Sequence, residues 1–114
     1  MKEFENSVYY NGSDYCMQSL KLQEISENAE TPFYVYDMDY IIKKYNKLKA
    51  SFPWENVRLF YAMKANFNPL MLKIMKENGF CLDTVSPAEV ILAKKIGFAS
   101  ENILFTANNM TDKD

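Results

Sequence analysis

From Thr31 onward, short β-branched and aromatic runs alternate with longer stretches whose apolar positions recur every three or four residues. These are the rhythms of strand and helix. Phe33-Tyr34-Val35-Tyr36 predicts a strand ending at Asp37. A helix follows, capped by Asp37 or Asp39, with Ile41, Ile42, Tyr45 and Leu48 at helical spacing until Ser51-Phe52-Pro53-Trp54 breaks it. Lys43, Lys44, Lys47 and Lys49 form that helix's solvated face.

Val57 to Lys64 predicts a second strand. Asn68 then caps a helix with Pro69 at its first position, a place proline favours because its missing N–H has no partner there anyway. Leu70, Met71, Ile74 and Met75 are its expected buried stripe, Lys73, Lys76 and Glu77 its wet face, and Asn78-Gly79 its end. Cys81 to Val85 predicts a third strand. Ser86-Pro87-Ala88-Glu89 reads as a capping box opening a helix that runs to Gly97. Ile103 to Ala107 is the fourth strand, after which Thr111 and Asp112 look like the cap and first turn of another helix.

The predicted strands begin near residues 33, 57, 81 and 103, at spacings of 24, 24 and 22. Strands and helices alternating at this interval imply α/β architecture with parallel strands and right-handed crossovers. A doubly wound open sheet and a (β/α)-barrel both use that unit. Four strands are half of an eight-fold barrel, which usually takes ~250 residues. Ending on a helix cap, the chain reads as an incomplete barrel, the first part of a longer protein. Residues 1–30 are polar with scattered aromatics and no clear period, an extended or irregular segment with a strand near Ser7 to Tyr10.

Composition narrows the chemistry. The chain has 114 residues, 48% hydrophobic and 15% aromatic, enough to pack a small core. Its formal net charge of -2 and lack of a basic block argue against a nucleic-acid surface. No run approaches the ~20 apolar residues of a membrane span, and Met1 to Ser7 lacks the apolar centre of a signal peptide. A soluble cytoplasmic protein is the expectation. Cys16 and Cys81 stand in no metal-ligand spacing, so no metal site is expected. With no histidine, imidazole catalysis is excluded within these residues. Lysine, carboxylates, tyrosine, cysteine or a cofactor must supply any reactivity.

Ligands in both architectures gather at the carboxyl ends of the strands. The polar residues there are Asp37, Lys64, Asp83, Asn108 and Asn109. By strand alternation Lys64 shares a face with Phe60 and Ala62. A lysine on a buried strand is costly unless paired or chemically used, although a side chain that has already reached solvent is the simpler account. The structural alternative for Asp83 is a strand-end carboxylate hydrogen-bonded to loop amides. Glu89 fits the third position of the Ser86 capping box. Asn108 and Asn109 can simply turn the chain. A dinucleotide-binding sheet would place a glycine-rich turn after the first strand, and Asp37-Met38-Asp39-Tyr40 has none.

Four segments in order carry a resemblance. Tyr61-Ala62-Met63-Lys64-Ala65-Asn66 is similar to the cofactor-lysine motif of the barrel-type (fold type III) pyridoxal-phosphate enzymes, the group of alanine racemase and the amino-acid decarboxylases. Gly79 to Glu89 resembles the decarboxylases' next strand and helix. Thr31 to Asp37 resembles the entry to the barrel, and Ile103 to Asn109 a later barrel strand. Thr31-Pro32-Phe33-Tyr34-Val35-Tyr36-Asp37 and Phe105-Thr106-Ala107-Asn108-Asn109 are most similar to the diaminopimelate decarboxylases. Phe67-Asn68-Pro69 departs from the racemase continuation. Pro87-Ala88 stands where the decarboxylases often have two glycines, and Met110 where many have a lysine.

The resemblance covers residues 31–114 and implies the first half of a pyridoxal-phosphate-binding TIM-type barrel. Residues 1–30 would then pack with a carboxy-terminal β-domain. It implies pyridoxal 5′-phosphate as cofactor, with Lys64 bound to it covalently, and Asp83, Glu89 and Asn108 beside it. The implied reaction converts meso-2,6-diaminopimelate, a small amino-acid substrate, to L-lysine and carbon dioxide. The full-length protein would be a homodimer whose phosphate site, ring-nitrogen acid and active-site histidine come later in the chain. These 114 residues alone are expected to be inactive. The alternatives are another decarboxylase of the group (ornithine, arginine or carboxynorspermidine) and a non-catalytic pyridoxal-phosphate-binding homeostasis protein.

Overall fold

The computed structural model describes residues 7–108, 110 and 111. It divides into two compact units, Met1–Lys43 and Lys44–Asp114.

In the first unit, β1 (Val8–Tyr10), β2 (Tyr15–Met17) and β3 (Leu20–Lys21) form an antiparallel sheet in chain order, and α1 (Leu22–Glu27) follows directly. This segment is more regular than its weak periodicity implies. The β1–β2 turn rests on polar chemistry, because the Asn11 side-chain oxygen accepts from the amides of Ser13 and Asp14 at 2.9 and 2.8 Å. Cys16 is buried between Tyr9 and Lys21 in the ladder. Among the described residues Phe33 to Tyr36 pair with no strand. Their alternating burial persists, but without a neighbouring ladder the run is extended chain, so the first predicted strand is not formed.

Asp37 caps α2 (Met38–Ala50), its Oδ1 accepting the Tyr40 amide at 2.9 Å. Ser7 Oγ and Gln18 Nε2 each donate to Oδ2 at 3.0 Å. Burial raises the Asp37 pKa, but these donors together outweigh it and hold the carboxyl below its ordinary value.

The second unit contains β4 (Phe60–Ala62), α3 (Pro69–Glu77), β5 (Cys81–Thr84), α4 (Pro87–Ile96) and β6 (Ile103–Phe105). The three strands are parallel, in the order β4-β5-β6. The local signals hold at the helix ends. The Asn68 side chain accepts from the amides of Leu70 and Met71 ahead of α3. Ser86 caps α4, and Gly97 ends it at φ 96°, a left-handed conformation that glycine adopts without a Cβ clash.

The core of this unit includes Tyr45, Met63, Met71, Leu72, Met75, Phe80, Cys81, Leu82, Ala93 and Phe98. Two predicted faces shift. Leu70 is 75% exposed, and Leu72 is buried in its place. Lys76 is half-buried, and its ammonium donates to the Ile96 carbonyl at 3.2 Å at the end of α4. In α2 only Tyr45 is buried, and Leu48 is exposed. No helix among the described residues is long and apolar enough to cross a membrane.

Candidate active site

The second predicted strand is shorter than its apolar run. β4 ends at Ala62, and Met63–Ala65 forms a 3-10 turn. Lys64 lies in that turn rather than on the strand face with Phe60 and Ala62. Its side chain is exposed, so no burial cost attaches to its charge. Met63, with 0% exposure, pins the turn to the core. The Tyr61 hydroxyl reaches across to the Asn66 carbonyl at 3.3 Å, and Asn66 Oδ1 accepts the Asn68 amide at 3.0 Å. The lysine is thus carried on a turn tied down at both ends.

On β5, Asp83 stands opposite Ala62 of β4 and Leu104 of β6. Side chains alternate along each strand, so these three residues share one face of the sheet. Leu82 and Thr84 point the other way and are wholly buried. Asp83 is half-buried, and Leu104 is 45% exposed. The face bearing Asp83 is therefore the more open one.

Asp83 Oδ1 accepts a hydrogen bond from the Thr106 hydroxyl at 2.5 Å. Thr106 is itself fixed by its amide, which donates to the Thr84 carbonyl at 2.9 Å and extends the ladder beyond β6. No ion pair joins Asp83 to Lys64 among the described residues. The carboxylate's partner is a hydroxyl two strand positions beyond Leu104. Alternation from Leu104 points to Thr106, but only the folded register brings it to Asp83.

Glu89 serves the helix start. Its Oε2 accepts the Val85 amide at 2.7 Å, while its own amide donates to Ser86 Oγ at 3.3 Å. The box closes on the residue before the cap, and one Glu89 oxygen is committed to backbone. Asn108 is exposed just past β6, and Asn109 and Asp112 lie outside the described residues. No cluster of ligating side chains suited to a metal ion occurs among the described residues.

The amino ends of the strands are closed differently. Arg58 donates to the carbonyl of Glu101 and to Asn102 Oδ1, touches Cys81 Sγ, and packs over the Phe60 ring at 5.2 Å. The accessible amine, the carboxylate and the hydroxyl therefore gather at the carboxyl ends. They suit a small carbonyl-bearing cofactor: Lys64 offers a primary amine, and Ala62 and Ala65 beside it add no bulk.

This parallel β/α unit, with an amine, a carboxylate and a hydroxyl at the strands' carboxyl ends, is the layout of barrel-type cofactor enzymes. The family described as pyridoxal-dependent decarboxylase, pyridoxal binding domain, matches residues 38–114, and the chain belongs to that family. Pyridoxal 5′-phosphate is the cofactor this domain indicates.

The diaminopimelate decarboxylase of Aquifex aeolicus is 32% identical over 114 residues, covering all of this chain and 27% of its own length. The crystal structure of diaminopimelate decarboxylase from M. jannaschii superposes with a TM-score of 0.87 at 27% identity, over 94% of this chain and 26% of that one. Ornithine decarboxylase from Entamoeba histolytica gives a TM-score of 0.62 at 30% identity, over 74% and 27%. The chain thus spans about a quarter of the length of these relatives.

Proposed function

We propose that this chain is the lysine-bearing portion of a pyridoxal-phosphate-dependent diaminopimelate decarboxylase, in which Lys64 binds the cofactor covalently. The observation that carries this reading is the position of Lys64, on a braced turn at the carboxyl end of β4, beside the strand that bears Asp83. Several relatives named diaminopimelate decarboxylase support the substrate, among them one 39% identical over 93 residues. A structural neighbour at TM-score 0.86 was solved with L-lysine bound, which is the product such a reaction would release.

In this reading the Lys64 amine is the group that would hold the cofactor covalently through its aldehyde carbon. When bound, pyridoxal phosphate supplies the electron sink for the pair left behind as the substrate carboxylate departs as carbon dioxide. Carried on its braced turn at the end of β4, Lys64 would be the amine this chain offers for holding or moving a proton there. Asp83 would supply a carboxylate on the neighbouring strand at the same end of the sheet, with Thr106 holding one of its oxygens. Glu89 contributes by fixing the turn between β5 and α4, and Asn108 lies on the rim.

Residues 31–114 would form the first half of the barrel, and residues 1–30 would pack with a further β-domain. The whole enzyme would be a cytoplasmic homodimer, in keeping with a soluble biosynthetic role.

Borohydride reduction of the intact holoenzyme, followed by peptide mapping, tests the assignment. The pyridoxyl group is expected on Lys64, and recovery on any other lysine overturns it. Carbon dioxide release from diaminopimelate, ornithine, arginine and carboxynorspermidine tests the substrate. Preference for any but the first rejects the diaminopimelate assignment while leaving the cofactor lysine intact.

A further inference from the structure

We infer that Thr106 is a positioning residue for the decarboxylation, acting through Asp83 and not by touching the cofactor itself. The inference rests on the reading of Lys64 given above.

Three observations meet at this residue. Thr106 Oγ1 donates to Asp83 Oδ1 at 2.5 Å, the distance of a charge-assisted hydrogen bond. The Thr106 backbone is held independently by its amide on the Thr84 carbonyl at 2.9 Å, so the hydroxyl is presented from a fixed frame. Thr84 is wholly buried and donates its own hydroxyl to the Leu104 carbonyl at 2.8 Å, which locks β5 to β6 just before Thr106. The sheet register then sets Asp83 level with Ala62, two residues before Lys64.

A half-buried aspartate without such a donor could turn about its side-chain torsions. With Oδ1 engaged, its plane is fixed and Oδ2 remains as the acceptor for whatever charge appears at the end of β4. The threonine also suits the place sterically: its β-branch restricts χ1, so the hydroxyl samples few directions.

The test compares Thr106→Val, Thr106→Ala and Thr106→Ser in the intact holoenzyme, together with Asp83→Asn and the double variant Thr106→Val/Asp83→Asn. In Thr106→Val, kcat is expected to fall about tenfold with KM changed less than about twofold, the loss of one oriented charged hydrogen bond. The pH midpoint of the lysine-bound cofactor's visible absorbance should move down, in the direction that Asp83→Asn moves it. Thr106→Ser should restore both readouts. In the Asp83→Asn background the valine should add little, because the two act as one unit.

Equal behaviour of the serine and valine variants would sink the inference. So would a valine effect that persists undiminished beside Asp83→Asn. Thr106→Ala guards against misfolding of the valine variant: it must show the same absorbance shift, and an unshifted, folded alanine variant also overturns the inference. Peptide mapping of the wild-type protein keeps the two questions apart, since a pyridoxyl label away from Lys64 rejects the parent reading, whereas a label on Lys64 with silent Thr106 variants rejects only this one.

Discussion

The phenol of Tyr45 donates to the Gly79 carbonyl at 2.8 Å while its ring stacks on Phe80 with centroids 3.8 Å apart. One side chain of α2 thus clamps the turn between α3 and β5, just upstream of the strand that carries Asp83. Burial is the leading cause that raises the Tyr45 pKa above its ordinary 10.0.

Removal of the hydroxyl in Tyr45→Phe should cost about 1 kcal/mol, because the Gly79 carbonyl loses a donor while the stack survives. Tyr45→Ala should cost about 3–5 kcal/mol through loss of the ring. Urea unfolding of the intact protein gives both values. The folded pKa lies above the unfolded one, so the neutral phenol's contribution is complete below the unfolded value and fades as pH rises through the folded one. Tyr45→Phe should therefore flatten the alkaline limb of stability, and an unchanged limb would refute the assignment.

Asp37 gives the opposite dependence. Its pKa is held below the ordinary 3.8, because the donors from Tyr40, Gln18, Ser7 and Asp39 outweigh its burial. Its contribution is complete above that ordinary value and disappears as pH falls through the folded pKa. Asp37→Ala should cost about 1–2 kcal/mol near neutrality, as a lost helix cap does. Acid unfolding curves of the wild type and variant should converge at low pH.

Lys64→Ala separates chemistry from folding. The side chain is exposed, so stability without cofactor should change by less than about 0.5 kcal/mol. Covalent retention of the cofactor through denaturing gel filtration after borohydride should vanish. A labelled Lys64→Ala protein would refute the assignment.

Arg58→Met should cost about 1 kcal/mol, since it removes the donor to the exposed Glu101 carbonyl and to Asn102 Oδ1, which keeps the Cys81 thiol, at the amino ends of the strands. The site is at the other end of the sheet, so the visible spectrum of the bound cofactor should be unaltered. Denaturant midpoints and the absorbance spectrum measure the two effects separately.

Much of this chain was legible because its signals are local. Asn68-Pro69, Ser86-Pro87 and Gly97 mark helix ends through bonds to residues within four positions, and the structure places α3 and α4 between them. Such features depend on φ, ψ and nearby amides, which the sequence itself sets. The alternation of strand and helix likewise announced a parallel sheet. The family motifs alone single out Lys64 and Asp83.

What the sequence alone did not decide depends on neighbours far along the chain. Phe33 to Tyr36 has strand composition, yet a strand exists only where another strand completes its hydrogen bonds, and among the described residues none does. Val57 to Lys64 reads as one strand, but its pairing with β5 covers only Phe60–Ala62, which turns Lys64 out of the sheet and into a braced 3-10 turn. The resemblance marks Asp83 as a site residue, but only the register of β5 on β6 brings the Thr106 hydroxyl to it. Chain-local chemistry determined the helices and the candidate amine. The positions of the strand ends, and hence which polar groups meet there, were decided by packing and pairing between residues more than twenty positions apart.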